Sequence, residues 1–193
     1  MVMQRTSFIV PVVLLFASLA SAQIPSGNVF FGYSYYNADL SPYKNANNST
    51  RNNTNGFEAS VEGRIIPFLG FVADFDGHYG SQNILPPVCP VGVEPCASTL
   101  KTNFTENNYL FGPRVSFPVG RIRPFAEALF GVARVHGEEI NPDNSFATAL
   151  GGGLDYKLIK PIAWRVQGDY VQTRFYGTTQ NNVRISTGIV LRF

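Results

Sequence analysis

The chain holds two histidines, and each stands beside groups with which an imidazole could do acid–base work. His78 has Asp76 before it and Ser81 after it, while His136 runs into Glu138 and Glu139. A hydroxyl nucleophile needs a histidine base within reach and a carboxylate to orient that base, so Asp76, His78 and Ser81 are the set from which a serine hydrolase could be assembled. His136 begins a loop and has no adjacent serine. Asp74 and Asp76 share one face at strand spacing, and pairing with arginine explains them without a metal ion. Gly151-Gly152-Gly153 does not open a helix, so it lacks the setting of a phosphate loop; small residues in such strands admit a bulky neighbour or permit bending. No catalytic residue, cofactor site or metal ligand is assigned from these groups. What recurs with a pattern is charge: Glu58, Glu62, Arg64, Asp74, Asp76, Arg114, Glu127, Asp155, Arg165, Asp169, Arg184 and Arg192 all fall on one alternating face, in nearly balanced signs.

The elements that carry these charges are strands. In the final dozen residues, NVRISTGIVLRF, Val183, Ile185, Thr187, Ile189, Leu191 and Phe193 alternate with Arg184, Ser186, Gly188, Val190 and Arg192. This period of two, apolar on one side and arginine-bearing on the other, is the pattern of a strand between lipid and a polar interior. Seven earlier segments repeat it, at about 27–36, 55–65, 69–79, 104–117, 123–136, 145–157 and 162–174. In the second, Phe57, Ala59, Val61 and Ile65 oppose Glu58, Ser60, Glu62 and Arg64; in the seventh, Ile162, Trp164, Val166 and Tyr170 oppose Arg165, Gln167 and Asp169. The fifth is the least regular, with Ala126, Ala128, Phe130 and Val132 outward and Glu127 inward with Leu129, Gly131 and Ala133. Tyr35, Tyr79, Tyr109, Tyr170 and Tyr176 are placed near one membrane interface, and Phe68, Phe117, Phe125, Tyr156, Trp164 and Phe193 near the other, as two aromatic girdles.

The connections alternate in length. Those at 66–68, 118–122 and 158–161 are tight and contain Pro or Gly, whereas 36–54, 80–103, 137–144 and 175–181 are longer and rich in Asn, Thr, Gly and Pro. The fold class expected is all-β, an eight-stranded antiparallel transmembrane β-barrel with short periplasmic turns, longer outer loops and both termini periplasmic. A soluble eight-stranded barrel of lipocalin type would point its apolar face inward; the charges opposite the apolar face decide against it. Eight strands leave an interior only wide enough for side chains, and isolated charges there would cost several kcal/mol each. The interior is therefore read as a salt-bridged plug, with Arg64, Arg114, Arg165, Arg184 and Arg192 paired to the carboxylates.

Residues 1–22 have the form of a cleaved secretory signal peptide: Arg5, an apolar stretch from Phe8 to Leu19, and Ala20-Ser21-Ala22 before Gln23. Residues 23–193 are expected to form one barrel domain. Fifteen basic against thirteen acidic residues argue for no nucleic-acid partner. The only cysteines, Cys89 and Cys96, lie in the Pro-rich PPVCPVGVEPC, and in an exported chain they are expected to close a small disulfide loop. The Asn-rich 45–55 segment is expected to be a hydrophilic, mobile surface loop.

These residues together resemble the small eight-stranded outer-membrane β-barrel family that includes the OmpA transmembrane domain and the opacity-type, porin-like surface proteins. The resemblance rests on Arg123-Pro124-Phe125-Ala126-Glu127, Gly151-Gly152-Gly153-Leu154-Asp155, Arg165-Val166-Gln167-Gly168-Asp169-Tyr170, and Asn181 to Gly188 with the terminal Arg192-Phe193. It implies location in the bacterial outer membrane, contact with outer-membrane lipids and lipopolysaccharide, and Phe193 as the signal read by the barrel assembly machinery. The chain departs from full-length OmpA in showing no peptidoglycan-binding segment after the barrel. The function expected is non-enzymatic, in envelope integrity or in surface recognition of a ligand by the loops around 45–55 and 84–96. A narrow pore for small solutes is the alternative. An outer-membrane lipid hydrolase is weaker still: neither histidine resembles the His-x-Ser arrangement of the lipid A deacylases, and His78 faces the lumen, whereas a lipid-cutting site should open toward the bilayer.

Overall fold

The computed structural model describes residues 26–39, 49–84, 100–138 and 141–193. The signal-peptide segment 1–22, Cys89, Cys96 and much of the 45–55 and 84–96 loop segments lie outside the described residues. Eight strands follow one another: β1 (Gly27–Asp39), β2 (Arg51–Ile66), β3 (Leu69–Ile84), β4 (Leu100–Ser116), β5 (Ile122–Gly137), β6 (Asp143–Lys157), β7 (Ile162–Thr173) and β8 (Gln180–Arg192). Each pairs antiparallel with its sequence neighbours, and β1 pairs with β8 from Asn28↔Arg192 to Asn37↔Val183. The sheet is thus a closed barrel with no free edge, the arrangement in which a strand can satisfy its backbone within lipid.

Strands form here because β-branched and aromatic residues alternate with polar or small ones, and closure gives each face one environment. The outward set is apolar and exposed, including Phe31, Val61, Phe71, Phe111, Val132, Leu150, Ile185 and Leu191. Its rings touch across strands as a ladder, Phe31 to Phe57 at 6.4 Å, Phe57 to Phe75 at 5.4 Å and Phe75 to Tyr109 at 4.9 Å. The inward set holds the charges. An apolar exterior around a charged core is the inverse of a soluble barrel and identifies a membrane-spanning one.

Several expectations need correction. The outer ends of the strands run further than the alternation indicated: Arg51 to Asn55, read as loop, extend β2 and pair with Asp39 to Tyr35 on β1. Asn and Thr are poor strand formers in isolation, but the growing sheet supplies their backbone partners. His136, expected to begin a loop, lies within β5 and points outward. Gly151-Gly152-Gly153 lies inside β6, within the 145–157 segment read as a strand. There Gly151 faces Asp169 and Gly153 faces Gln167 so closely that a Cβ at either would overlap them.

The aromatic belts also lose two members. Phe125 is buried in the lumen, as its parity with Glu127 requires. Tyr176 has a left-handed backbone (φ 52°) in a one-turn 3₁₀ segment, Phe175–Gly177, and packs against the interior cluster at the outer mouth. The lumen itself is not polar throughout. Its outer half is lined on the β4–β7 side by Phe104, Leu110, Leu129, Val135, Ala149 and Val171, so charge concentrates toward β1–β3, β8 and the periplasmic half.

Candidate functional site: the charged lumen and its outer mouth

The lower layer is built on hairpin partners. Arg114 and Glu127 stand opposite each other on β4 and β5, and Arg114 donates from Nε to Glu127 Oε2 at 2.7 Å and from Nη1 to Glu62 at 3.2 Å. Asp155 and Arg165 stand opposite on β6 and β7, joined at 2.7 and 3.2 Å, and Arg192 reaches the same carboxylate at 3.0 Å. Between the two guanidiniums lies Phe125, 4.4 Å from Arg114 and 4.6 Å from Arg165. A buried phenyl ring there offers its negative faces to two cations that would otherwise repel.

The middle layer is centred on Arg184. It meets Asp169 of β7 at 2.9 Å, Asp74 of β3 at 2.7 Å and Glu58 of β2 at 3.6 Å, and a very short contact joins it to Asp76. Gln167 donates to Glu58 and Asn108 to Asp76, each at 2.7 Å. Arg184, Glu58 and Asp76 are completely buried. All twelve residues expected on the charged face line the interior, but with unequal engagement: Arg64 only approaches Glu62, at 3.7 Å.

The upper layer contains groups that the sequence argument did not single out. His78 Nδ1 lies 3.0 Å from Asp76 Oδ1, and its Nε2 lies 2.9 Å from Ser34 Oγ on β1. Ser34 in turn contacts Ser186 Oγ at 2.8 Å. The histidine therefore meets Ser34 over Gly56 of the intervening β2, while Ser81 lies on the opposite, exposed face of β3. Asp76, His78 and Ser34 have the order of a nucleophilic triad, yet all are completely buried and Tyr36 stacks on the imidazole at 4.6 Å. Ser34 Oγ is completely buried, and its contacts with His78 and Ser186 tie β1 to β3 and β8. Above it, Tyr36 donates to Glu106 at 2.9 Å and receives from Asn182 at 2.8 Å. Ser34 and Glu106 were legible in principle, since both share the inward parity of their strands.

At the outer mouth the 175–177 turn packs over the β6–β8 side of the lumen. Phe175 is buried; its N–H donates to Gln180 Oε1 at 2.8 Å and Gln180 Nε2 donates to its carbonyl at 3.1 Å. The Tyr176 N–H donates to Asp143 at 2.6 Å, and its hydroxyl to the Asn141 carbonyl at 2.6 Å. At the other end Phe193 is exposed and outward, with its main chain joined to Gly27 at 2.9 and 3.1 Å.

No family model matches this chain, and no curated protein matches it. Solved structures do. Neisserial surface protein A superposes with a TM-score of 0.64 at 14% identity, over 86% of this chain and 97% of that one. The attachment invasion locus protein of Yersinia pestis, crystallised with the heparin analogue sucrose octasulfate, superposes at 0.51 with 13% identity, over 88% of this chain and 99% of that one. At such identities the likeness is one of fold, and the fold is that of the small eight-stranded outer-membrane barrels.

Proposed function

We propose that this protein is a non-enzymatic barrel of the bacterial outer membrane that acts through its exterior, in envelope integrity or in surface recognition by its outer loops. The observation that supports this most is the filled lumen. Three arginines, Arg114, Arg165 and Arg184, are essentially inaccessible to solvent in its lower and middle layers, and Phe175 is buried above them. A barrel whose lumen is filled by buried side chains meets its partners through its lipid face, its rims and its loops. In this reading the lipid face contacts outer-membrane phospholipid and lipopolysaccharide, the barrel assembly machinery reads Phe193, and a surface ligand is taken by the segments around 45–55 and 84–96.

Loop deletion is the test. Removing residues 40–48 or 85–99 should abolish adhesion to a host or surface ligand while leaving detergent resistance of the cells intact if recognition is the role. Detergent sensitivity that appears only on deletion of the whole gene, with adhesion unchanged, would assign the role to envelope integrity. Release of fatty acid from lipopolysaccharide or phospholipid by the purified protein, lost in Ser34→Ala or His78→Ala, would overturn the non-enzymatic reading.

A further inference from the structure

The charges of the lumen are not evenly distributed, and the imbalance is greatest at the periplasmic mouth. Five guanidiniums gather in the lower layer, Arg64, Arg114, Arg123, Arg165 and Arg192, against three carboxylates, Glu62, Glu127 and Asp155. The carboxylates are already committed deeper in the barrel. Glu127 is held by Arg114; Glu62 by Arg114 and by Asn28 at 2.7 Å; Asp155 by the forked Arg165 and by Arg192 Nη2 at 3.0 Å. What remains for the outermost arginines is little. Arg64 Nε and Nη2, Arg123 Nε and Nη1, and Arg192 Nε are all shielded from solvent without a hydrogen-bond acceptor. Arg123 stands opposite Asp155 in the β5–β6 register, where the like charges of Arg64 and Arg192 outweigh the opposite charges of Glu62 and Asp155.

Buried guanidinium donors without acceptors are costly, and three cations that repel one another raise that cost. A single oxyanion at their centre would remove both penalties, because it accepts several N–H bonds at once and carries the opposite charge. The rim around the mouth has the same sign. Arg121 lies over the Tyr156 ring and reaches the Leu158 carbonyl, and Lys157, Lys160 and Arg192 line a cavity of about 310 Å³ with Ile159, Ile162 and Phe193. No carboxylate side chain is exposed on this rim among the described residues. The outer end differs, since Asp39, Glu138 and Asp143 accompany its basic residues.

We infer that the periplasmic mouth of the barrel is a phosphate-binding site, with Arg64, Arg123 and Arg192 as its donors and Arg121, Lys157 and Lys160 as an attracting rim. Its phosphoryl group can belong to an anionic lipid headgroup of the inner leaflet or to a soluble phosphate. Sulfate, of the same shape, binds the same donors; chloride at equal ionic strength does not replace it, because it offers no set of separated oxygens.

The full-length mature protein, folded in dodecyl maltoside and freed of phospholipid and phosphate, tests this. Inorganic phosphate and dihexanoyl-phosphatidylglycerol are titrated separately, with binding read by ³¹P line broadening and by the unfolding midpoint. Saturable binding of either probe, weakened at least about tenfold in Arg123→Gln and in Arg192→Gln, supports the site. Binding of the lipid alone assigns it to a headgroup, and binding of both equally assigns it to the free anion. Arg134→Gln, on the outward face of β5 far above the mouth, should bind as the wild type does and keeps a folding defect distinguishable from loss of the site. Absence of saturable binding of both probes at millimolar concentration, or equal binding by Arg123→Gln and wild type, would overturn the inference.

Discussion

Replacing Arg184 by Met removes the only guanidinium, among the described residues, in reach of Asp74, Asp76, Asp169 and Glu58, at 2.7 Å, a shorter contact, 2.9 Å and 3.6 Å in that order. Breaking a buried ion pair from one side costs about 3–5 kcal/mol, because a charge stays behind in a place that water cannot reach. The four contacts do not add, since one cation serves all of them and the carboxylates can take up protons once it is gone. The expected loss is therefore about 3–5 kcal/mol for the whole cluster. Reversible urea unfolding in micelles or thin bilayers, followed by Trp164 emission and by heat-modifiable migration on gels, measures it. A quadruple variant adding Asp74→Asn, Asp76→Asn and Asp169→Asn should recover most of the loss, since an apolar and amide filling of similar volume is tolerated. A loss below about 1 kcal/mol for Arg184→Met would mean that this network behaves like solvated surface charge, and the reading of a dry plug would fail with it.

Other outcomes follow from the same geometry. Planar-bilayer recordings of the wild type should show no stable conductance, and a steady porin-sized current would replace the plug with a pore. Ala73→Arg, on the lipid face of β3 between the belt positions Phe68 and Tyr79, should destabilise by about 2–4 kcal/mol, whereas Asn103→Arg, above the outer belt, should cost no more than about 1 kcal/mol. Gly151→Val should cost about 1–3 kcal/mol by overpacking, because a Cβ at that position meets the Asp169 carboxylate; equal stability would show that the Asp169–Arg184 contact can move aside. Tyr36→Phe, which strips the hydrogen bonds to Glu106 and from Asn182, should cost about 1–3 kcal/mol by leaving buried polar groups unpaired.

Much of this architecture is legible in the chain because a barrel repeats one simple rule. Alternation separates Phe57, Ala59 and Val61 from Glu58, Ser60 and Glu62 without any knowledge of the partner strands. Three ion pairs were also within reach of that rule: Arg114 with Glu127, Asp155 with Arg165, and Asp169 with Arg184 are direct neighbours once each hairpin is folded about its turn. Ser34 meeting His78 follows from two successive hairpins, since both stand beside Gly56 of β2, whereas Glu58 meeting Gln167 was out of reach because it depends on the stagger with which the barrel closes. The strand ends were also missed. Polar residues such as Asn52 and Asn53 carry no apolar signal above the membrane, and only sheet continuation keeps them extended. The 175–177 turn escaped for a related reason: its place over the mouth is set by Gln180 and Asp143, which come from two different strands.

Arg184 belongs to the last strand, while Glu58, Asp74 and Asp76 belong to the second and third. Strands β2 and β3 by themselves thus set three carboxylates on one face with no guanidinium between them, and the seam between β1 and β8 brings the cation that reconciles them. Closure turns repulsion among these carboxylates into attraction, so the network acts as a latch on the seam. Pulse-labelled Arg184→Met should accumulate as an unclosed, protease-sensitive species, and wild-type closure kinetics in that variant would remove this role.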